Sequence, residues 1–354
     1  MSRDKVTLNK EHVEIIKRIK EQTEHFNTNN VTRTMAYLHF YNNNREIHWA
    51  FLAHMVSRNA GWNMTDLKGE FLPRLLSEKE RKDLFMWLER GNWLIFQDAY
   101  PQLLLYELSK HREQPMFFLL PHIHISQFME NIWMQFWDAG DSARLTMGLI
   151  INEQMYIESR IIQNDYYQNK VMNKPAFTLQ EWFNLNVILF PSIFSSNGHC
   201  DLYGQVVHNF ERIQERIKIG KKLYSILFHQ PKHLNNVYYW ALEQRHTGSR
   251  KDYWPHIFND VSESFPGRIY NPHIQDCNLK EGVSKLFSPQ LKYAWPDIIH
   301  DAPGYEDWFK DMDINDELQP ISKEVNGSIE HHYCKSLEKL SLAVLTNKAF
   351  FQRR

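Results

Sequence analysis

At 354 residues the chain is longer than most single domains, so one large unit or two closely joined ones are both open. Hydrophobic residues at 43% and charged residues at 23% exclude a disordered chain, and 14% aromatics supply large surfaces to bury or present. With 41 Lys and Arg against 42 Asp and Glu, the formal charge is −1, which disfavours nucleic acid as a partner.

The first twenty residues mix charge with scattered apolar groups and show no apolar signal region. No window approaches the ~20 consecutive apolar residues of a transmembrane helix. Cys200, Cys277 and Cys334 are widely spaced and odd in number, so no disulfide framework is expected, which suits a reducing compartment. A cytoplasmic location follows as the expectation.

In chain order, the first strong element lies within residues 45–67. Ile47, Trp49, Ala50, Phe51, Leu52, Ala53, Met55 and Val56 make a helix apolar almost all round, and such a helix is normally buried. Gly61 is expected to end it. Ser77 with Glu80 reads as a capping box that starts a second helix through Leu84, Phe85, Trp87 and Leu88, stopping before Gly91. Ser126 caps a third, through Phe128, Met129, Ile132, Trp133 and Phe136. A long helix of mixed charge runs from Val207 through Phe210, Ile213 and Ile217 to Leu227. Its Arg212, Arg216, Lys218, Lys221 and Lys222 interleave with Glu211 and Glu215 as a solvated, salt-bridged face.

Seven of the 14 prolines then fall between Pro255 and Pro320, where helical spacing weakens but aromatics persist, including Phe265 and Tyr270. Within this stretch Lys251–Asp260 and Lys292–Asp301 share the pattern K-x-x-W-P-x-I-x-x-D. The echo reads either as two similar helix starts or as a docking pair built on Trp254 and Trp295. A last helix follows Ser328 through Leu337, Leu340 and Val344. No useful strand alternation stands out. The expected fold is therefore all-α: a multi-helix compact bundle with a Pro- and aromatic-rich, loop-containing C-terminal section. Residues 1–246 and 328–354 would form the core, with 247–327 packed on it.

Burial makes the polar residues of the 45–67 segment informative, because each then needs a partner. His54 and Arg58 share one helical stripe, and His48 and Asn59 an adjacent one. With Glu46, Trp62, Asn63 and Asp66 they form the candidate binding set, and Asp66 or Glu46 is the expected acidic partner of Arg58. The runs Asn30-Val-Thr-Arg33-Thr-x-x-Tyr37, Glu46-Ile-His48-Trp49-Ala50 and Ser57–Leu67 resemble the YppC-like family of uncharacterised proteins from Bacillus-type bacteria. The likeness covers most of the chain and implies a bacterial cytoplasmic setting. It supplies no catalytic residue to carry over.

Glu243-Gln-Arg-His246 has the ExxH spacing of a di-iron bundle but lacks a second copy. His122 with His124, His199-Cys200-Asp201 with His208, His229 with His233, and His331-His332 with Cys334 complete no zinc shell, so neither metal nor cofactor is expected. The chain has no HExxH, GxSxG, P-loop or GxGxxG motif. Two functional readings remain. One is a non-enzymatic protein that binds a protein partner or small ligand through an aromatic-rich surface. The other is an acid–base or hydrolytic enzyme centred on Glu46, His48, His54, Arg58, Asn59 and Asp66.

Overall fold

The computed structural model describes residues 8–175, 177, 187–193, 200–263, 272–310, 314–321 and 325–351. These are mostly helical: α1 (Lys10–Phe26), α2 (Asn30–Asn43), α3 (His48–Asp66), α4 (Leu72–Leu75), α5 (Glu78–Arg112), α6 (Gln127–Ala139) and α7 (Ser142–Ile157). A hairpin of β1 (Val187–Pro191) and β2 (Leu202–Val206) follows. Then come α8 (Ile213–Phe228), α9 (Pro231–Glu243), the short α10 (Leu291–Ala294) and α11 (Glu330–Phe351). Phe265, Tyr270 and His199 lie outside the described residues. Among the described residues, no helix is long and apolar enough to cross a membrane.

Helix α3 sits at the centre, with 14 of its 19 residues buried and contacts to α2, α5, α7, α8, α10 and β1. It does not stop at Gly61. A Cβ there would sit 2.4 Å from Asn30 Oδ1 and 2.8 Å from His246 Nε2, so glycine permits close packing inside the helix. The Ser77–Glu80 capping box forms as expected, yet α5 runs 35 residues, past Gly91 and through Pro101. Beyond Gly91 the buried Leu94, Phe96, Leu103 and Leu105 hold the helix in the core on opposite sides, and that burial outweighs the local cost of Gly and Pro. At ~1.5 Å per residue α5 is about 50 Å long. Ser126 caps α6 as expected, and two unforeseen capping boxes start α1 at Asn9 and α2 at Asn29.

Several expectations are corrected. The fold is not purely helical: β1 pairs antiparallel with β2, Val187 opposite Val206 and Pro191 opposite Leu202. Four of the five β1 residues are buried, so the strand shows a continuous apolar run rather than alternation. Val207 and Phe210 precede α8 instead of belonging to it. Arg216 and Lys221 are buried, paired with Glu158 and Glu317, while Glu211, Arg212 and Lys218 stay exposed and Lys218 lies 3.8 Å from Glu215, so the run is a solvated, salt-bridged face only in part. Ser328 bridges to Tyr203, and α11 starts at Glu330. The two Trp-Pro copies follow helical turns rather than opening helices: Trp254 comes after the 3-10 turn Arg250–Asp252, and Trp295 caps the end of α10. A residue before proline is driven to extended backbone, which ends a helix. Cys277 and Cys334 form a disulfide that ties a tight turn to α11, leaving Cys200 free and buried. Cysteine count therefore no longer argues for a reducing compartment.

Candidate functional site

The eight residues of the 45–67 set fall into separate networks. Glu46 lies near the surface, accepting from Lys110 Nζ (2.5 Å) and Tyr106 Oη (2.8 Å). His48 stacks on Phe228 at 4.3 Å, and its Nδ1 meets Tyr224 Oη at 3.1 Å. His54 and Arg58 do share a stripe: Arg58 Nε donates to His54 Nε2 at 3.0 Å, while His54 Nδ1 donates to the Thr34 carbonyl at 2.8 Å. Burial, then the Arg58 charge, holds the His54 imidazole well below its ordinary range and therefore neutral.

Arg58 is fully buried, and its acceptors are main-chain carbonyls rather than Asp66 or Glu46. Its Nη2 donates to Ala241 and Gln244 at the end of α9, and the guanidinium lies 4.7 Å over the Trp240 ring. Burial lowers Arg58 to about 10, still charged at neutral pH. Asn59 acts as a backbone surrogate for β1, donating to the Leu189 carbonyl and accepting from Leu189 N, each at 2.8 Å.

Asp66, Asn63 and Trp62 belong to a second cluster organised by Arg250, a residue that no motif or spacing singles out. Arg250 Nε and Nη2 grip both Asp66 oxygens at 2.7–2.9 Å, and Nη2 also reaches Asn63 Oδ1 at 3.1 Å. Its Nη1 donates to Tyr253 and Tyr333. Trp62 packs edge-on against Tyr253, 4.7 Å between ring centres. Trp254 is 2% exposed, and Trp295 is stacked on Phe85 with its Nε1 bonded to the Met64 carbonyl. The Trp254 indole offers no free face, while Trp295 is only half-buried and borders a cavity with Asn29, Glu89 and His246. His246 lies beyond the end of α9, so Glu243 and His246 share no helix face; its Nε2 meets Asn30 Oδ1 at 2.8 Å. Among the described residues, no three His, Cys, Asp or Glu side chains are placed to hold a metal ion.

The arrangement with chemical capacity lies on the other side of α3. Helices α2, α3, α5, α7 and α8 leave a cavity of about 180 Å³ between them. Its walls are mainly apolar: Trp49, Leu52, Ala53 and Val56 from α3, Ile150 and Ile157 from α7, Ile95, Ile188, Phe210, Ile219 and Leu223. Arg33 and Arg216 border it with their charges already met. Arg33 Nη2 lies 2.6 Å from both Glu89 oxygens, and Arg216 is bound by Glu158, Gln154 and the Phe210 carbonyl.

Glu153 differs. It retains accessible surface, lines the cavity, and accepts from Gln154 Nε2 at 2.7 Å and from the Trp49 side chain. Among the described residues it has no cation within ion-pair distance. Burial, with a smaller push from Asp98, raises its carboxyl to about 7. The Tyr37 hydroxyl at the same wall finds no hydrogen-bond partner among the described residues. Sequence reasoning missed Glu153, although its signal was available: Asn152-Glu153-Gln154 interrupts an apolar helix just as His54 and Arg58 do.

Fold and site together define a mainly helical protein with a mainly apolar cavity between its helices, where Glu153 is the carboxyl group without a paired cation among the described residues. The chain belongs to the family described as a protein of unknown function (DUF2515), whose model matches residues 25–334. It is 41% identical over 296 residues to the Bacillus subtilis (strain 168) protein described as uncharacterized protein YppC, covering 83% of each chain. Both findings agree with the resemblance carried by the 57–67 block. No solved structure matches the chain.

Proposed function

We propose that the protein binds a small amphipathic molecule in the cavity between α2, α3, α5, α7 and α8. The observation that carries this reading is the pairing of apolar walls with one carboxyl group that lines the cavity and has no cation within ion-pair distance among the described residues, the combination that a binding pocket uses to fix an apolar body and a polar end. The enzyme reading centred on Glu46, His48, His54, Arg58, Asn59 and Asp66 lacks comparable support, because each of those side chains is engaged in a structural bond. An aromatic docking surface on Trp254 and Trp295 has less behind it, since Trp254 is buried and Trp295 is stacked on Phe85 and bonded to the Met64 carbonyl. Titration with the fluorescent apolar probe N-phenylnaphthylamine tests the proposal. Saturable one-to-one enhancement is expected, together with a rise in melting temperature. Ala53→Leu, which adds bulk to the cavity wall, should suppress the enhancement while circular dichroism stays unchanged. Absence of saturable binding to the wild-type protein would refute the proposal.

A further inference from the structure

We infer that the polar end of the ligand is a protonated amine, with Glu153 as its counter-ion; this rests on the cavity reading above. The charges around the cavity decide between head groups. A carboxylate or phosphate ligand needs a cation with spare capacity, and neither guanidinium has a free charge to offer. Arg33 Nη2 is clamped across both oxygens of Glu89, which pairs its charge and leaves only its Nε, a buried atom, without a partner among the described residues, and all three nitrogens of Arg216 are used. Glu153 is the reverse case. It has hydrogen bonds from neutral groups and, among the described residues, no cation within ion-pair distance, so as a carboxylate its desolvation cost is offset only in part, by the more distant charge of Arg216. An ammonium group placed beside it would relieve that cost and bring its alkyl portion against Leu52, Ile150 and Leu223. A neutral alcohol could accept a hydrogen bond from protonated Glu153, but it would gain no charge pairing.

The proton supplies a second signature. The charged or titratable groups facing Glu153 are Asp98 from α5 and Arg216 from α8, with Tyr37 from α2 coupled to the same carboxyl. Asp98 favours the protonated form, Arg216 opposes it, and Tyr37 stays neutral because burial raises its phenol well above the ordinary range. Near neutrality the empty protein therefore holds part of a proton on Glu153, which an arriving ammonium must expel. Amine binding should release protons around pH 7 and weaken as pH falls.

Calorimetric titration of octylamine, octanol and octanoate into the full chain tests this. Octylamine is expected to bind roughly tenfold or more tighter than octanol near pH 8, with proton release detected from buffers of different ionisation enthalpy. In Glu153→Gln the advantage of the amine should vanish while N-phenylnaphthylamine binding persists, which shows the cavity intact. If octanol or octanoate binds wild-type protein as tightly as octylamine, the head-group inference fails and the cavity reading survives. If an octylamine preference persists undiminished in Glu153→Gln, the amine is held elsewhere and the inference also fails. If neither the three probes nor the dye binds saturably, both fail together.

Discussion

Arg58 shows how a buried charge can be held with no carboxylate bonded to it, the charge of Asp252 acting only from a distance. Its guanidinium binds two carbonyls at the end of α9, takes the lone pair of His54, and lies over Trp240. A cation is favoured at a helix C-terminus, where unpaired carbonyls gather. Arg58→Ala should therefore cost roughly 3 kcal/mol, from hydrogen bonds to a charged donor and from carbonyls left dry. Arg58→Lys should recover little of that, because one ammonium cannot span the same acceptors. Denaturant unfolding checks both, and a loss below about 1 kcal/mol for the alanine variant would contradict the assignment. That Arg58 is buried was legible, because the residues around it are apolar on every side. Its partners were not, since Ala241 and Gln244 are brought to it only by the tertiary fold. The same argument applied to Asn152-Glu153-Gln154 would have drawn attention to Glu153, but α7 carries no family-like block or histidine to attract it.

Among the elements, α3 reverses an ordinary expectation about glycine. In an exposed helix interior, Gly→Ala is worth about 1 kcal/mol of stability. Gly61→Ala should instead destabilise, because the new methyl would meet Asn30 Oδ1 and His246 Nε2, which are hydrogen-bonded to each other. A higher melting temperature for Gly61→Ala would show that this junction yields more easily than its packing indicates. The caps at Ser77 and Ser126 were legible because capping is local chemistry written within four residues. The ends of α3 and α5 were not, because tertiary burial carries both helices through residues that favour stopping. Strand β1 was hidden for a related reason: buried on both faces, its apolar run matches a short buried helix equally well.

At the scale of the whole molecule, two buried carboxyls make stability depend on pH in an unusual direction. Asp98, bonded to Gln102 and Asn152, is raised by burial to about 7, as is Glu153. Folded protein thus keeps protons that the unfolded chain releases above about pH 4. Each group makes the fold less stable as pH rises from about 4 to about 7, with no further loss above that window. Asp98→Asn removes one such group, so the variant should gain on wild type across that interval, by at most about 1.4 kcal/mol per pH unit. Thermal unfolding at a series of pH values measures the difference, and a constant offset would mean that Asp98 is ionised throughout. The 35-residue rod α5 has a consequence for how such a molecule is made. Helices α1, α2 and α3 all pack against it, and all four precede residue 113. During synthesis, which releases the N-terminal part first, the opening third of the chain can wind around its own long helix while α7, the hairpin and α8 are still untranslated. The cavity between α2, α3, α5, α7 and α8 is complete only when those later segments arrive, and the Cys277–Cys334 link must await the emergence of α11.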